Sequence, residues 1–193
     1  HSHPDCIGLY GAGEVRYPGL SDLDLVIVLA EGSSIRPILQ GQNLPEPGPY
    51  LANHSFPHYP PEIFRWLHYL FPLFSPLQPL VEKEPIDLEP SPQDPEDAKQ
   101  LAAFYVADYL VKKIYHLLDY TDGRPVPVRQ LLCHLHTIRY TLSCLEQATG
   151  TAIGTQFSED IDGLRRDWFD LELEVGQKRL MDLIPRGAAL GFE

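Results

Sequence analysis

The chain has 193 residues, enough to bury a hydrophobic core, and its 44% hydrophobic and 10% aromatic content is typical of a folded protein. Its formal net charge is −12, from 27 acidic and 15 basic side chains. Long nucleic acid is therefore disfavoured as a partner, because tracking a phosphate backbone needs clustered Lys and Arg. A small anionic substrate bridged by a metal ion fits this charge balance better.

The cysteines, Cys6, Cys133 and Cys144, lie far apart and form no Cys-x-x-Cys pair. This pattern argues against a disulfide framework and against a thiolate zinc site, and it predicts a cytoplasmic protein. No stretch approaches the ~18 consecutive apolar residues that a membrane-spanning helix needs, so we expect no membrane partner.

Residues 5–31 predict two strands joined by a glycine-rich turn. The first apolar run lies at 6–10 and the second at 23–29. The second run is so continuous in branched apolar residues that we expect a strand covered on both faces.

The zone from 33 to 95 holds most of the chain's 19 prolines. Proline lacks a backbone N–H and fixes φ, so we expect this zone to be ordered but irregular. A short helix is predicted at 61–71, with an apolar face formed by Ile63, Trp66, Leu67 and Leu70. A short strand is predicted at 85–88.

The C-terminal half changes to apolar residues that recur at intervals of three and four, which predicts three amphipathic helices. The first begins at Asp94 as the N-cap and has Phe104 on its apolar face. The second is closed by Gly150, and the third starts near Ser158 and continues in phase through Val175. Such helices would form an antiparallel bundle or a layer on the sheet.

Two aspartates open the second apolar run, in Ser21-Asp22-Leu23-Asp24. Side chains two apart on a strand point to the same face, so Asp22 and Asp24 are predicted to converge. Two carboxylates this close repel each other unless a cation lies between them. Oxygen-only ligation favours Mg²⁺ or Mn²⁺, completed by water and substrate phosphates.

A glycine-rich segment, Gly8-Leu9-Tyr10-Gly11-Ala12-Gly13, precedes the aspartates. Backbone N–H groups at glycines can approach a phosphate without an obstructing Cβ. We therefore expect Gly11, Ala12, Gly13 and Ser21 to contact a triphosphate. A phosphate-binding glycine turn followed by a metal-binding pair of aspartates is a layout for phosphoryl transfer.

This pattern resembles the nucleotidyltransferase superfamily that includes the polymerase-β-like and minimal nucleotidyltransferases, in which Gly-Ser is followed by a spacer and then by Asp-x-Asp. Gly11 and Ala12 stand in the Gly-Ser place, or else Gly8 and Leu9 do, and no serine follows either glycine. The resemblance implies a two-metal site. It also implies transfer of a nucleoside monophosphate from a nucleoside triphosphate, ATP being the first choice, to a hydroxyl of a small molecule or a protein.

The family also supplies a third carboxylate from a later strand. Asp87, flanked by apolar residues, is the candidate, and Glu82, Glu84 and Glu89 are its rivals. Its role would be that of a metal ligand and of a base toward the acceptor hydroxyl. A solvated acidic loop is the competing interpretation.

The fold class expected from all of this is α/β (α+β), with a small mixed nucleotidyltransferase-like sheet followed by a helical region. We place the core, with its proline-rich insert, at 1–92 and the helical region at 93–193. The helical region would shape the acceptor pocket or mediate assembly into a homo-oligomer.

Two other functions fit the sequence. The missing serine fits a nucleotidyltransferase fold that binds or regulates without catalysis. Arg129 and His134 resemble the Arg-x4-His signature of the helical HEPN ribonucleases, in which the two side chains would serve as phosphate clamp and acid/base.

Overall fold

The computed structural model describes residues 3–35, 45–51, 55–71, 74–90, 94–119 and 127–190. The chain divides into two compact units, His1–Ser91 and Pro92–Glu193, called the N-terminal and C-terminal units below. The N-terminal unit contains a four-stranded mixed sheet, and the C-terminal unit is helical in its described part. The predicted α+β fold class, with helices at the C-terminal end, is confirmed.

The sheet of the N-terminal unit is formed by β1 (Cys6–Ala12), β2 (Asp24–Leu29), β3 (His58–Tyr59) and β4 (Leu77–Glu82). Its strand order is β3-β2-β1-β4. Both neighbours of β1 run antiparallel to it, and β3 is parallel to β2. Three helices of a single turn complete the described part of this unit: α1 (Gly48–Leu51), α2 (Pro61–Phe64) and α3 (Leu67–Leu70).

Strand β2 is buried on both faces, as its unbroken apolar run predicts. On one face the core consists of Tyr10, Ala12, Val26, Val28, Phe64 and Leu67. On the other face it consists of Ile27, Leu29 and Phe56. A shift of one residue would exchange these two apolar sets, so the register of β2 depends on how well the individual side chains fit each core.

The helix predicted in the proline-rich zone is divided into α2 and α3. The carbonyl of Arg65 accepts the amide N–H of Glu89 at 3.0 Å instead of continuing the helix. The predicted apolar face was correct at Leu67, which is fully buried, and wrong at Ile63 and Trp66, which are 44% and 42% exposed, and it missed the fully buried Phe64.

The strand predicted at 85–88 was also wrong, because these residues have no regular secondary structure. Strand β4 lies earlier in the chain and contains Pro79. Proline is compatible with a strand at the edge of a sheet, and within the described sheet β4 pairs only with β1. Asp87 consequently lies outside the sheet.

The C-terminal unit has four described helices where three were predicted: α4 (Pro95–Asp119), α5 (Val128–Thr149), α6 (Thr155–Asp167) and α7 (Leu173–Ala189). Helix α5 packs against each of the other three. The predicted N-cap of α4 is confirmed, since the Asp94 carboxylate accepts the amide N–H of Glu96 at 2.8 Å. None of the helices in the described ranges combines the length and apolar content needed to cross a lipid bilayer.

The third predicted helix is interrupted between α6 and α7. A Cβ atom on Gly176 would lie 3.1 Å from the ring of Trp168, so the glycine lets α7 pack closely against that ring after the chain turns. Val175, which the periodic pattern placed on the apolar face, is 45% exposed. The apolar residues of the sequence keep a helical spacing across this turn, although α6 ends at Asp167 and α7 begins at Leu173.

The buried face of α4 is one residue out of phase with the predicted face. Tyr105 is 2% and Ala102 is 6% exposed, whereas Phe104 is 63% exposed. Most positions around the helix axis in this part of α4 are apolar. Apolar residues therefore recur at intervals of three and four on more than one face, and the spacing does not determine which face is buried. In α5 the predicted apolar positions are buried at Leu131, Leu135, Ile138 and Leu142.

Two glycines that flank the α5–α6 connection give a matched test of packing. Gly150, the C-cap of α5, and Gly154, the N-cap of α6, have φ of 70° and 71°. A Cβ on Gly150 would meet nothing within 4 Å, whereas one on Gly154 would lie 2.7 Å from Cδ1 of the buried Leu142.

We expect Gly150→Ala to lower the free energy of unfolding by about 1–2 kcal/mol, the cost of a left-handed backbone. Gly154→Ala carries the same cost and about 1–3 kcal/mol more from overpacking. Urea denaturation of the full chain, followed by circular dichroism, measures both. Equal losses would contradict the packing described for Leu142.

Candidate functional site

Asp24 is the first residue of β2 and lies directly opposite Ala12 of β1. Alternation along the strand places its side chain on the face that carries Val26 and Val28. Side chains paired in this way have Cβ atoms about 4.5–5.5 Å apart. A half-buried carboxylate therefore lies at the end of an apolar face, beside the small side chain of Ala12.

Asp22 is also half-buried but precedes the strand. The residue between the two aspartates, Leu23, donates its amide N–H to the carbonyl of Leu51 in α1 at 2.7 Å. Alternation along β2 determines the face to which the Asp24 side chain points. Asp22 lies before the strand, so alternation does not determine the direction of its side chain. The predicted convergence of the two carboxylates therefore stays a prediction.

A closed turn at 17–21 leads into the aspartates. The carbonyl of Tyr17 accepts the amides of Leu20 and Ser21, at 3.0 and 2.8 Å. In return, the Tyr17 amide donates to the hydroxyl oxygen of Ser21 at 3.2 Å. Leu20 is buried and anchors the turn in the fold. Ser21, a predicted triphosphate contact, is thus held immediately before Asp22.

The predicted glycine turn is divided between strand β1 and the residue that follows it. Gly11 lies inside β1, paired with Leu25 on one side and Gln78 on the other. Gly13 follows the strand with φ of 69°, and its amide N–H donates to the carbonyl of Pro76 at 3.0 Å. This amide already has an acceptor within the protein, so a phosphate would need other donors nearby.

The register distinguishes the two alignments of the family's Gly-Ser. Gly8 pairs with Val28, four residues along β1 from the Ala12–Asp24 pair and so about 13 Å away. Gly11 and Ala12 are next to the aspartates. The structure thus brings the first of the two predicted glycine pairs to Asp24 and leaves the second distant.

The predicted third carboxylate is not brought to the other two. On β4, the residue level with Ala12 and hence with Asp24 is Leu77. Asp87 is exposed in the segment after β4. Within the described ranges, no group of three or more His, Cys, Asp or Glu side chains could hold a metal ion.

The rival carboxylates have other partners or lie exposed. Glu82 accepts a hydrogen bond from the hydroxyl of Tyr10, and burial together with this carboxylate raises the pKa of that tyrosine. Glu89 forms an ion pair with Arg65 at 3.1 Å. Glu84 is exposed. Since Glu82 pairs with Gly8 in the sheet, it lies at the opposite end of β1 from Asp24.

The residues at the start of β2 fit a site for one cation better than a site for two. Proteins commonly hold Mg²⁺ through one or two carboxylates, with water and substrate phosphates as the remaining ligands. Asp22 and Asp24 would supply that minimum if their carboxylates converge as predicted. A two-metal site needs a further carboxylate to bridge or complete the second ion, and Leu77 stands at the nearest position on β4.

In the C-terminal unit, the predicted ribonuclease pair lies on α5. Arg129 and His134 are five positions apart, which is about 140° around the helix axis. The structure instead brings together His136, Arg139 and Asp162, with Nδ1 of His136 3.8 Å and a guanidinium nitrogen of Arg139 3.0 Å from one oxygen of Asp162. This cluster forms only because α5 packs on α6, so no local pattern of residues predicts it.

Comparison with known proteins identified no matching family model, no similar curated protein and no similar solved structure. The resemblance to nucleotidyltransferases therefore depends on the residues from Gly11 to Asp24 and on their arrangement in the sheet.

Substitution of two glycines of β1, Gly8 and Gly11, distinguishes a glycine that the fold needs from one that only the candidate site would need. A Cβ on Gly8 would lie 2.7 Å from Cε2 of the buried Tyr10 ring, whereas one on Gly11 would make ordinary contacts of 3.9 and 4.0 Å. We expect Gly8→Ala to lower the free energy of unfolding by about 1–3 kcal/mol. Gly11→Ala should change it by less than about 0.5 kcal/mol.

Thermal and urea unfolding of the two variants test this difference. A large loss for Gly11→Ala would mean that its conformation or packing differs from that described. If Gly11→Ala is stable, any effect of this change on nucleotide binding belongs to the site and not to the fold.

Proposed function

We propose that the N-terminal unit binds a nucleoside triphosphate through a divalent cation held by Asp22 and Asp24, and that it transfers the nucleoside monophosphate to a hydroxyl group. ATP is the first nucleotide to test. The proposal extends the resemblance of Gly11–Asp24 to the nucleotidyltransferase superfamily.

The pairing of Ala12 with Asp24 is the observation that supports this proposal most directly. It places a carboxylate at the end of a buried strand, next to the position where the family carries serine. A carboxylate at this position can serve as a ligand of a bound divalent cation. The acidic surface of the chain, with net charge −12, would otherwise repel a triphosphate.

In the proposed reaction the acceptor oxygen forms a bond to the α-phosphorus and the bond to the β-phosphate breaks, so that pyrophosphate leaves. A divalent cation supplies charge neutralisation of the phosphates when it is bound. Asp22 and Asp24 would hold this cation, which would in turn bind the phosphates and orient them for in-line attack, and Ser21 lies next to the two aspartates. The acceptor hydroxyl loses its proton to solvent or to the released pyrophosphate.

A second candidate function is cation-dependent nucleotide binding without transfer. Leu77 stands on β4 where a third carboxylate would be level with Asp24, and Ala12 stands in place of serine. Leu77 provides no carboxylate and Ala12 provides no hydroxyl, and the family uses both groups in catalysis. Asp22 and Asp24, the proposed cation ligands, are still present. Product formation distinguishes this candidate from the first.

Isothermal titration with ATP, in the presence and absence of Mg²⁺, tests the binding step that the two candidates share. We expect saturable binding that requires Mg²⁺ and that weakens by more than about tenfold in Asp22→Asn and in Asp24→Asn, because each change removes a metal ligand. Binding that ignores Mg²⁺ and both substitutions would overturn the proposal.

Asp87→Asn is the matched control for these variants. Its carboxylate is exposed in the same unit, outside any group of candidate ligands in the described ranges. We expect its affinity for Mg²⁺-ATP to equal that of the unchanged chain. A loss as large as that of Asp24→Asn would restore Asp87 as the third ligand. Pyrophosphate release then separates transfer from binding alone.

A further inference from the structure

Helix α1 contacts the segment that carries the aspartates at two points. The hydroxyl of Tyr50 donates to the carbonyl of Gly19 at 2.6 Å. The carbonyl of Leu51, the next residue, accepts the amide N–H of Leu23 at 2.7 Å. One four-residue helix therefore holds positions on both sides of Asp22.

This matters because strand pairing does not extend to Asp22. Asp24 is held by its place in the ladder of β2, opposite Ala12. The backbone on the N-terminal side of Asp22 belongs to the turn at 17–21, and the outward carbonyl of that turn is the one bound by Tyr50. The distance between the two carboxylates thus depends on α1 as well as on the sheet.

The conformation of α1 and of the turn suits this role. Tyr50 and Leu51 both donate their amides to the carbonyl of Pro47, at 3.0 and 3.1 Å, which closes the helical turn. Gly19 has φ of 87°, a left-handed conformation that favours glycine and that presents its carbonyl to Tyr50. The tyrosine ring is 49% exposed, so burial of the ring contributes only part of the contact.

We propose that Tyr50 is a positioning residue, whose hydroxyl sets the place of Asp22 relative to Asp24 and so the affinity and geometry of the cation site. This inference rests on the proposed function, and it assigns to the proline-rich zone a part in that site. Neither the resemblance nor the sequence pattern of 45–51 indicates such a role.

The test is a titration of the full chain with Mn²⁺ and a non-hydrolysable ATP analogue, followed by electron paramagnetic resonance. Tyr50→Phe removes one hydroxyl and keeps the ring. We expect Mn²⁺ to bind roughly threefold to tenfold more weakly, as for the loss of one hydrogen bond. The resonance line shape of the bound Mn²⁺ should also change, because its ligand geometry changes.

Tyr69→Phe is the matched control, because the buried hydroxyl of Tyr69 has no hydrogen-bond partner in the described part of the chain. We expect this variant to match the unchanged chain in affinity and line shape. Urea denaturation should show that Tyr50→Phe lowers the free energy of unfolding by no more than about 0.5–1.5 kcal/mol, the loss of one hydrogen bond. Weaker Mn²⁺ binding with an unaltered line shape would indicate a general loss of stability and would overturn the positioning role.

The two proposals fail in different ways. If the unchanged chain binds no Mn²⁺, the proposed function falls and the role of Tyr50 falls with it. If the unchanged chain binds Mn²⁺ and Tyr50→Phe gives the same affinity and line shape, the positioning role alone is overturned.

Discussion

The antiparallel register of β1 and β2 is the constraint on which the site depends. Both faces of β2 are buried, with Val26 and Val28 in one core and Ile27 and Leu29 in the other, so a slip would force two cores to repack around side chains of different shape. A slip of one residue would turn Asp24 to the opposite face and away from Ala12. The apolar core therefore determines the face of the sheet on which the Asp24 side chain lies.

Two carboxylates that lie near each other repel, and relief of this repulsion adds to the free energy with which they bind a cation. Two unit charges of the same sign about 7 Å apart, at the effective dielectric constant near a protein surface, repel by about 2 kcal/mol, and this applies to Asp22 and Asp24 if they converge as predicted. A divalent cation between them removes this repulsion, so a fold that holds both aspartates in place favours the cation. The hydrogen bonds from the segment 19–23 to α1 are consistent with such a fixed arrangement.

The spacing of apolar residues and the types of capping residue predicted those elements whose local preference matches their place in the folded protein. The strand at β2 and the apolar face of α5 follow from runs and intervals of apolar residues, and Asp94 and Gly150 cap helices as their types suggest. The position of β4 could not be predicted, because Pro79 disqualifies a central strand and nothing local shows that the strand lies at the edge. The break between α6 and α7 likewise depends on the contact of Gly176 with Trp168.

Some features of the candidate site could likewise be predicted from the sequence, and others depend on the fold. The Asp-x-Asp pattern at the start of an apolar strand indicated Asp22 and Asp24 from spacing alone. The pairing of Asp24 with Ala12, the distance of Gly8, and the contacts of Tyr50 and Leu51 all depend on which segments meet in the fold. Asp87 was chosen for a strand that does not form, and Leu77 stands at the level on β4 where a third carboxylate would be expected.

A crystal of the full chain grown with Mn²⁺ and a non-hydrolysable ATP analogue tests the central claim most directly, because anomalous scattering locates the metal. The account predicts a Mn²⁺ peak bonded to carboxylate oxygens of both Asp22 and Asp24 and to phosphate oxygens of the nucleotide. Nucleotide bound elsewhere, or Mn²⁺ bound to neither aspartate, would contradict it.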